Sequence, residues 1–234
     1  MNIALILAGG LGIRLKSDVP KQYCMVGNKP IISYCLEAFE KNENISSILI
    51  VAEEAWHCFL QDYMKKENIT KFCGFSKPGA TRSLSILGGL NKMNEISVDI
   101  DLVVVHDAVR ALVSQDLINR CICAAMEADG SMPALPVTDT AYICKDGSSI
   151  SALLNRDELF TGQAPECFKF KKYLQAYKRL SNEELLRIRG SSEVAYMAGM
   201  EIKLIEGSYR NFKITTQEDL LTFETIVQGK TYES

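Results

Sequence analysis

Ile3-Ala4-Leu5-Ile6-Leu7-Ala8-Gly9-Gly10-Leu11-Gly12: six consecutive apolar residues run into glycines near the start of the chain. A continuous apolar run of this kind, stopped by glycine, reads as a strand buried on both faces of a parallel sheet. Similar runs recur at Ser47 to Ala52, at Leu102-Val103-Val104-Val105 and at Met132 to Val137. Between them lie helical patterns near Ile31 to Glu40, Arg82 to Met93 and Ser114 to Glu127. Alternation of buried strand and amphipathic helix predicts an α/β fold: a doubly wound, Rossmann-like, mostly parallel sheet.

From Asp139 the rhythm changes. Thr140 to Cys144, a Lys-Asp-Gly-Ser turn and Ile150 to Leu154 predict a β-hairpin, an arm over residues 139–160 that protrudes from the sheet. Beyond it the pattern predicts a helix from Phe168 to Arg179, a short helix around Val194 to Ala198, a strand over Glu201 to Ile205 and a closing helix from Gln217 to Val227. With 234 residues and no low-complexity linker, residues 1–234 are expected to form a single domain with one hydrophobic core.

Composition narrows the function classes. Apolar residues are 47% and charged residues 24% of the chain, ordinary for a globular protein, and the net charge of -3 gives no electrostatic footprint for nucleic acid. Any phosphate site must therefore be local. No apolar run reaches the roughly 20 residues needed to cross a bilayer, so no membrane partner is expected. Ile3 to Ala8 is too short for a secretory segment, which predicts a cytoplasmic chain whose eight cysteines stay reduced. Cys121-Ile122-Cys123 lacks the two-residue gap of a zinc knuckle, and His57 and His106 lie far in sequence from any cysteine pair, so no structural zinc site is expected.

The glycines at the end of the first strand carry the first chemical signal. Glycine there lets the backbone turn tightly and bring N–H groups against phosphate oxygens, at the sheet edge where open α/β folds bind ligands. Arg14 and Lys21 add the cations a triphosphate needs. The pattern is no P-loop, because no Gly-Lys-Ser/Thr follows, and it is a poor dinucleotide fingerprint, because Leu15 stands where a third glycine is required. A second cluster, His106-Asp107-Ala108-Val109-Arg110, closes the most apolar strand. A carboxylate placed there can hold a magnesium ion that bridges phosphates, while the lone His106 is expected to be a hydrogen-bonded structural residue.

The run Ala8-Gly9-Gly10-Leu11-Gly12-Ile13-Arg14 with Pro20-Lys21-Gln22 resembles the signature of the cytidylyltransferases that act on methylerythritol phosphate and ribitol phosphate. The resemblance implies that the turn at Leu7, Ala8, Gly9, Gly10 and Gly12 binds CTP, with Arg14 and Lys21 catalytic through their charge on the phosphates and magnesium (Mg2+) as cofactor. His106 to Arg110 resembles the family's His-Asp-(Ala/Ser)-(Ala/Val)-Arg-Pro, implying Asp107 at the metal and acceptor site and Arg110 at the acceptor; Ala111 replaces the proline, and Val109 is more typical of the ribitol-phosphate branch. Arg82 and Ser85 resemble the family's nucleotide-contacting arginine and serine, although Pro78-Gly79-Ala80-Thr81 replaces Gly-Gly-Xaa-(Glu/Asp) before them.

Asp139-Thr140, Arg156 and Gly162-Gln163-Ala164-Pro165 are similar to the family's Asp-Thr, arginine and Gln-Thr-Pro-Gln, which implies that Thr140 and Arg156 bind acceptor across a homodimer of exchanged β-arms. Asn211-Phe212-Lys213-Ile214-Thr215 resembles Asn-Ile-Lys-Val-Thr and implies that Lys213 binds the acceptor phosphate and shares in catalysis. Further departures from the family pattern are Ala164, Glu166 (a glutamine in the family) and Arg189-Gly190-Ser191-Ser192 (Thr-Asp-Glu-Ala in the methylerythritol-phosphate enzymes). The expected reaction transfers CMP from CTP to a small polyol phosphate, ribitol 5-phosphate or a glycerol-type phosphate for capsule or wall polymers, with methylerythritol 4-phosphate as the alternative. Two rivals stand further off. A nicotinamide-dependent oxidoreductase would need the third glycine and a ribose-binding acid, and a non-catalytic dimeric scaffold would need none of Arg14, Lys21, Asp107 and Lys213.

Overall fold

The computed structural model describes residues 1–10 and 19–229. The first strand, β1 (Asn2–Leu7), is followed by a two-residue hairpin, β2 (Met25–Val26) and β3 (Lys29–Pro30), and by α1 (Ile31–Lys41). Strand–helix alternation continues through β4 (Ser47–Val51), α2 (His57–Lys66), β5 (Phe72–Ser76), α3 (Arg82–Ile96), β6 (Leu102–Asp107), α4 (Gln115–Glu127) and β7 (Gly130–Pro136). The arm pairs β8 (Tyr142–Ile143) with β9 (Ala152–Leu153), and the chain returns through β10 (Phe160–Gly162), β11 (Glu166–Lys169), α5 (Phe170–Lys178), α6 (Asn182–Arg187), α7 (Ser191–Met197), β12 (Ile202–Glu206) and α8 (Gln217–Val227).

The main sheet runs β7–β11–β6–β1–β4–β5, with β12 on the outer side of β7 and β10 continuing beside its far end. β1 pairs in parallel with β4 and β6, β4 with β5, and β7 with β12. Only β10 and β11 among these strands run against their neighbours. The expected mostly parallel, doubly wound sheet is present. Alternate residues of each central strand feed two cores: Ala4, Ile6, Ile48, Ile50 and Val104 pack under α1, α2 and α4, while Ile3, Leu5, Leu49, Val51, Val103 and Val105 pack under α3, α5, α6 and α7. This two-sided burial is why the strands read as unbroken apolar runs.

Two sequence expectations change. Phe168 lies in β11, and the helix expected from it begins at Phe170, because residues 166–169 fill the gap between β6 and β7 as a reversed strand. The strand expected over Met132 to Val137 begins at Gly130. The arm pairs Tyr142 with Leu153 and Ile143 with Ala152, and all four residues are exposed.

After β1 the chain builds β4 and β5 on one side, then crosses to β6 on the other. The carboxyl ends of β1 and β6 therefore border a topological switch point, where ligands of open α/β sheets bind. Register places Leu7 opposite Asp107, and the Ala108 N–H donates to the Leu7 carbonyl (3.1 Å). The glycine turn and the acidic motif, remote in sequence, thus meet at one edge.

Candidate active site

The turn after β1 is pinned from two directions. The Gln22 amide, in a single turn of 3-10 helix over Lys21–Tyr23, donates to the carbonyls of Ala8 (2.6 Å) and Gly10 (2.8 Å). From the other side the loop before α3 presses close: a Cβ on Gly9 would lie 2.4 Å from the Pro78 Cβ, so glycine is required where these two loops touch. Ser85, expected at the nucleotide, accepts a hydrogen bond from the Gly79 N–H (3.0 Å) and so shapes that second loop. The helix cap is Thr81, whose hydroxyl accepts from the Leu84 N–H. Gly12 and Arg14 lie outside the described residues.

Asp107 is the hub. Its Oδ1 accepts from Arg82 Nε (3.3 Å) and Nη2 (3.2 Å), its Oδ2 faces Lys213 Nζ at 3.0 Å, and Arg110 Nε stands 3.6 Å from Oδ2. Burial pulls the Asp107 carboxyl upward, but Arg82, Lys213 and Arg110 outweigh that and hold it far below the usual carboxylate range. The Asp107 side chain is only 9% exposed and that of Lys213 is 36% exposed, so the lysine is the member of this pair that can meet an incoming anion. Lys21 is tied to the same loop: its ammonium donates to the Ile214 carbonyl (2.8 Å), next to Lys213.

The loop bearing Lys213 is held by its own short-range chemistry. Arg110 Nη1 donates to the Asn211 carbonyl (2.6 Å), Asn211 Nδ2 donates to the Ala164 carbonyl (2.7 Å), and the Ile214 N–H donates to Val109 (3.0 Å). A capping box closes α8, with the Thr216 hydroxyl on the Asp219 N–H and the Asp219 carboxylate on the Thr216 N–H. Arg110 thus braces the Lys213 loop while facing Asp107. Asn211 and Gln22, quoted in the sequence only as parts of motifs, prove to be the hydrogen-bonding braces of the site.

His106 is fully buried, its Nε2 bonded to the Arg110 carbonyl (3.0 Å) and its ring tilted against Phe39. It acts as the structural residue expected. Burial lowers its pKa from 6.5 to about 4, against the opposing pull of the Arg110 carbonyl and Asp107. As pH falls from about 6.5 to about 4 the unfolded chain takes a proton that the native imidazole refuses, so stability is full above that window and drains as pH falls through it, by ~3 kcal/mol in all. Glu166, whose carboxyl burial pushes up, contributes with the opposite sign. Urea melts of wild type and His106→Gln at pH 7 and pH 4.5 isolate the histidine: the variant should lose less stability on acidification, and parallel losses would exclude His106 as the cause.

A resident metal does not fit the described residues well. No group of three or more His, Cys, Asp or Glu side chains among them is placed to hold one, and the one carboxylate expected to do so, Asp107, already spends both oxygens on cations. Thr140 and Arg156 sit on or beside the arm and take no part in the Asp107 ion pairs of their own chain; the Arg156 guanidinium donates to the Thr138 carbonyl (2.9 Å). Glu166 and Ser191, noted in the sequence only as departures, stand directly behind Arg82.

A glycine turn, four cations and one buried carboxylate at a switch point describe an anion site of nucleotidyltransferase type, and comparison with known proteins agrees. The family model of IspD, 2-C-methyl-D-erythritol 4-phosphate cytidylyltransferase, matches residues 2–229. The chain belongs to this family. It is 33% identical to the 2-C-methyl-D-erythritol 4-phosphate cytidylyltransferase of Geobacter metallireducens, over 97% of both chains. It is also 31% identical to the ribitol-5-phosphate cytidylyltransferase of Lactiplantibacillus plantarum, over 98% of this chain and all of that one. Among solved structures, the 4-diphosphocytidyl-2C-methyl-D-erythritol synthase of Anaerococcus prevotii superposes with a TM-score of 0.81 at 25% identity, covering 97% of this chain and 96% of that one. IspD-family membership removes the oxidoreductase reading and makes the chain a nucleotidyltransferase of cytidylyltransferase type.

Proposed function

We propose that the chain works as a single nucleotidyltransferase unit that transfers CMP from CTP to a small polyol phosphate, releasing pyrophosphate. The observation that carries this reading is the convergence of Arg82, Arg110 and Lys213 on Asp107 beside the glycine turn, with Lys21 bonded to the Ile214 carbonyl next to Lys213. A phosphate monoester is largely dianionic at neutral pH, so its oxygen can attack the α-phosphorus of CTP without a general base. The new P–O bond forms as the α–β phosphoanhydride bond breaks, and pyrophosphate carries off the electron pair. Catalysis then reduces to positioning and to stabilising charge on the leaving group, which fixed cations supply. Magnesium would come with the nucleotide as its triphosphate complex and would neutralise phosphate charge, and Asp107 is the residue expected to hold it.

The acceptor is ribitol 5-phosphate or a related glycerol-type phosphate, serving capsule or wall polymer synthesis. Similarity alone supports either of two acceptors, since relatives of nearly equal identity carry ribitol-5-phosphate and methylerythritol-phosphate names. The residues favour the first: Ala164 is buried and offers no hydroxyl, and Glu166 and Ser191 replace the methylerythritol-phosphate pattern. Pyrophosphate release with CTP and a panel of ribitol 5-phosphate, glycerol phosphate and methylerythritol 4-phosphate tests both levels. Release with none of them overturns the reaction; preference for methylerythritol 4-phosphate overturns the acceptor alone. No disulfide forms among the described residues, which supports a cytoplasmic setting, and no described helix is long and apolar enough to cross a membrane.

The enzyme acts as a homodimer in which each arm serves its partner's acceptor site through Thr140 and Arg156. The arm supports this reading by what it leaves uncovered: Tyr142, Ile143, Ile150 and Leu153 are all exposed, and an isolated two-stranded hairpin is marginal in water. Mixing Lys21→Ala with Arg156→Ala under conditions of subunit exchange tests it. If arms exchange, a mixed dimer holds one doubly lesioned site and one intact site, and activity should recover to about a quarter of wild type on random pairing. If Arg156 serves its own subunit, every site keeps a lesion and nothing recovers.

A further inference from the structure

Behind the Asp107 hub lies a second buried carboxylate that the reaction as proposed does not use. Glu166 enters from β11, where it pairs with Val105 of β6, and is almost wholly buried. Its Oε1 accepts a short hydrogen bond from the Ser191 hydroxyl and stands 3.5 Å from Arg82 Nη2, while its Oε2 has no partner among the described residues. Ser191 in turn accepts from Arg82 Nη1 (2.5 Å), and its backbone carbonyl is fixed by the Tyr173 hydroxyl (2.9 Å). Arg82 therefore has Nε and Nη2 on Asp107 and Nη1 on Ser191, with Glu166 at its back.

We propose that Glu166 and Ser191 are a positioning pair for Arg82, holding its guanidinium against Asp107 and so fixing the acceptor site. The inference rests on the cytidylyltransferase reading above and deepens it. A serine hydroxyl has one proton. An ionised Glu166 can only accept, so the Ser191 proton turns toward it and a lone pair turns toward Arg82. The relay Arg82 to Ser191 to Glu166 runs in one direction only while Glu166 is a carboxylate. Arg82 is then tied through Nη1 to Ser191, which helps to keep its Nε and Nη2 on Asp107 Oδ1. Charge follows the same logic: two carboxylates, Asp107 and Glu166, face three cations, Arg82, Arg110 and Lys213. Without Glu166 the excess of positive charge would bear on Asp107 alone. Arg82 thereby becomes a residue that acts through Asp107.

Both partners stand where the sequence departs from the family pattern. Glu166 replaces a glutamine, and Ser191 falls at the glutamate of Thr-Asp-Glu-Ala. Set against that pattern, a carboxylate is absent at Ser191 of α7 and present at Glu166 of β11, and in this chain both positions touch Arg82. This makes a rescue experiment possible.

Wild-type turnover is established first; if no polyol phosphate is cytidylylated, the parent reading falls, and this test is not reached through it. With an active enzyme, Glu166→Gln should lower kcat/KM for the polyol phosphate by about tenfold, as expected for a small displacement of a positioning group, while the CTP dissociation constant measured by calorimetry moves less than threefold. Ser191→Ala should move the same constants in the same direction by a smaller factor. The double variant E166Q/S191E, which returns the carboxylate from the other side, should recover part of the acceptor loss. A general packing defect would worsen in the double variant and would weaken CTP and acceptor alike. Wild-type constants in E166Q, or equal losses for both substrates, overturn the proposal. Should E166Q fail to fold, S191A decides: a folded S191A with unchanged acceptor kinetics overturns it equally.

Discussion

Lys21→Ala is expected to lower turnover on the order of 100-fold or more while weakening CTP binding far less. The lysine is anchored by its bond to the Ile214 carbonyl, so its charge is held in place before the reaction begins. A preorganised cation of this kind is worth most where negative charge grows, on the oxygen that departs with pyrophosphate. Loss confined to the transition state lowers kcat and kcat/KM together, whereas loss of ground-state binding raises KM and leaves kcat alone. The carbonyl it holds belongs to the residue after Lys213, so the substitution also loosens that loop. Lys21→Arg separates the two effects: it keeps a cation and a donor, and recovery of CTP affinity without turnover would show that placement of the charge, beyond its presence, is what the site needs. If K21A raised the KM for CTP with kcat untouched, Lys21 would be a binding residue only.

The parts of this site that were legible in the sequence are those carried by contiguous motifs. Leu7 and Asp107 could each be placed at a strand end, and the strand periods of β1 and β6 made the shared edge inevitable once both were parallel neighbours. The closing helix was readable to the residue, because Thr216 and Asp219 announce its start. What escaped was whatever the local pattern leaves ambiguous. Phe168, Phe170, Tyr173, Leu174 and Tyr177 are all buried, and the last four suit a helix; only the two-residue step from Phe168 to Phe170 hints that a strand precedes it. α2 buries only Leu60 and Met64, too thin a stripe to stand out, and β5 is a half-buried edge strand interrupted by Gly74. The acid–serine pair behind Arg82 was invisible for a different reason. Glu166 and Ser191 belong to elements that are far apart along the chain and meet only because β11 reverses direction beside β6.

Asp107→Asn should be the more damaging change, to the fold as well as to the reaction. Asparagine preserves shape but leaves Arg82, Arg110 and Lys213 facing one another around a neutral, almost fully buried group. Removing one partner of a buried ion pair costs ~3–5 kcal/mol, which for a chain of this length lowers the melting temperature by roughly 10 °C. The released cations also have a predictable effect on ligands. With its internal counter-ion gone, the site should bind the CTP triphosphate as tightly as before or more tightly, and CTP should raise the melting temperature of D107N by more than it raises that of wild type. Turnover should nevertheless collapse, by on the order of 100-fold or more, because Lys213 loses the group that holds it in place and Arg82 loses the carboxylate through which it acts. Magnesium separates the two possible duties of the carboxylate. If Asp107 helps to hold the ion, raising magnesium well above its ordinary level should restore part of the activity; if it serves by organising cations and acceptor, no concentration of magnesium will. Substantial activity in D107N at ordinary magnesium would sink both, and would leave the buried carboxylate with a purely structural duty that the melting temperature alone records.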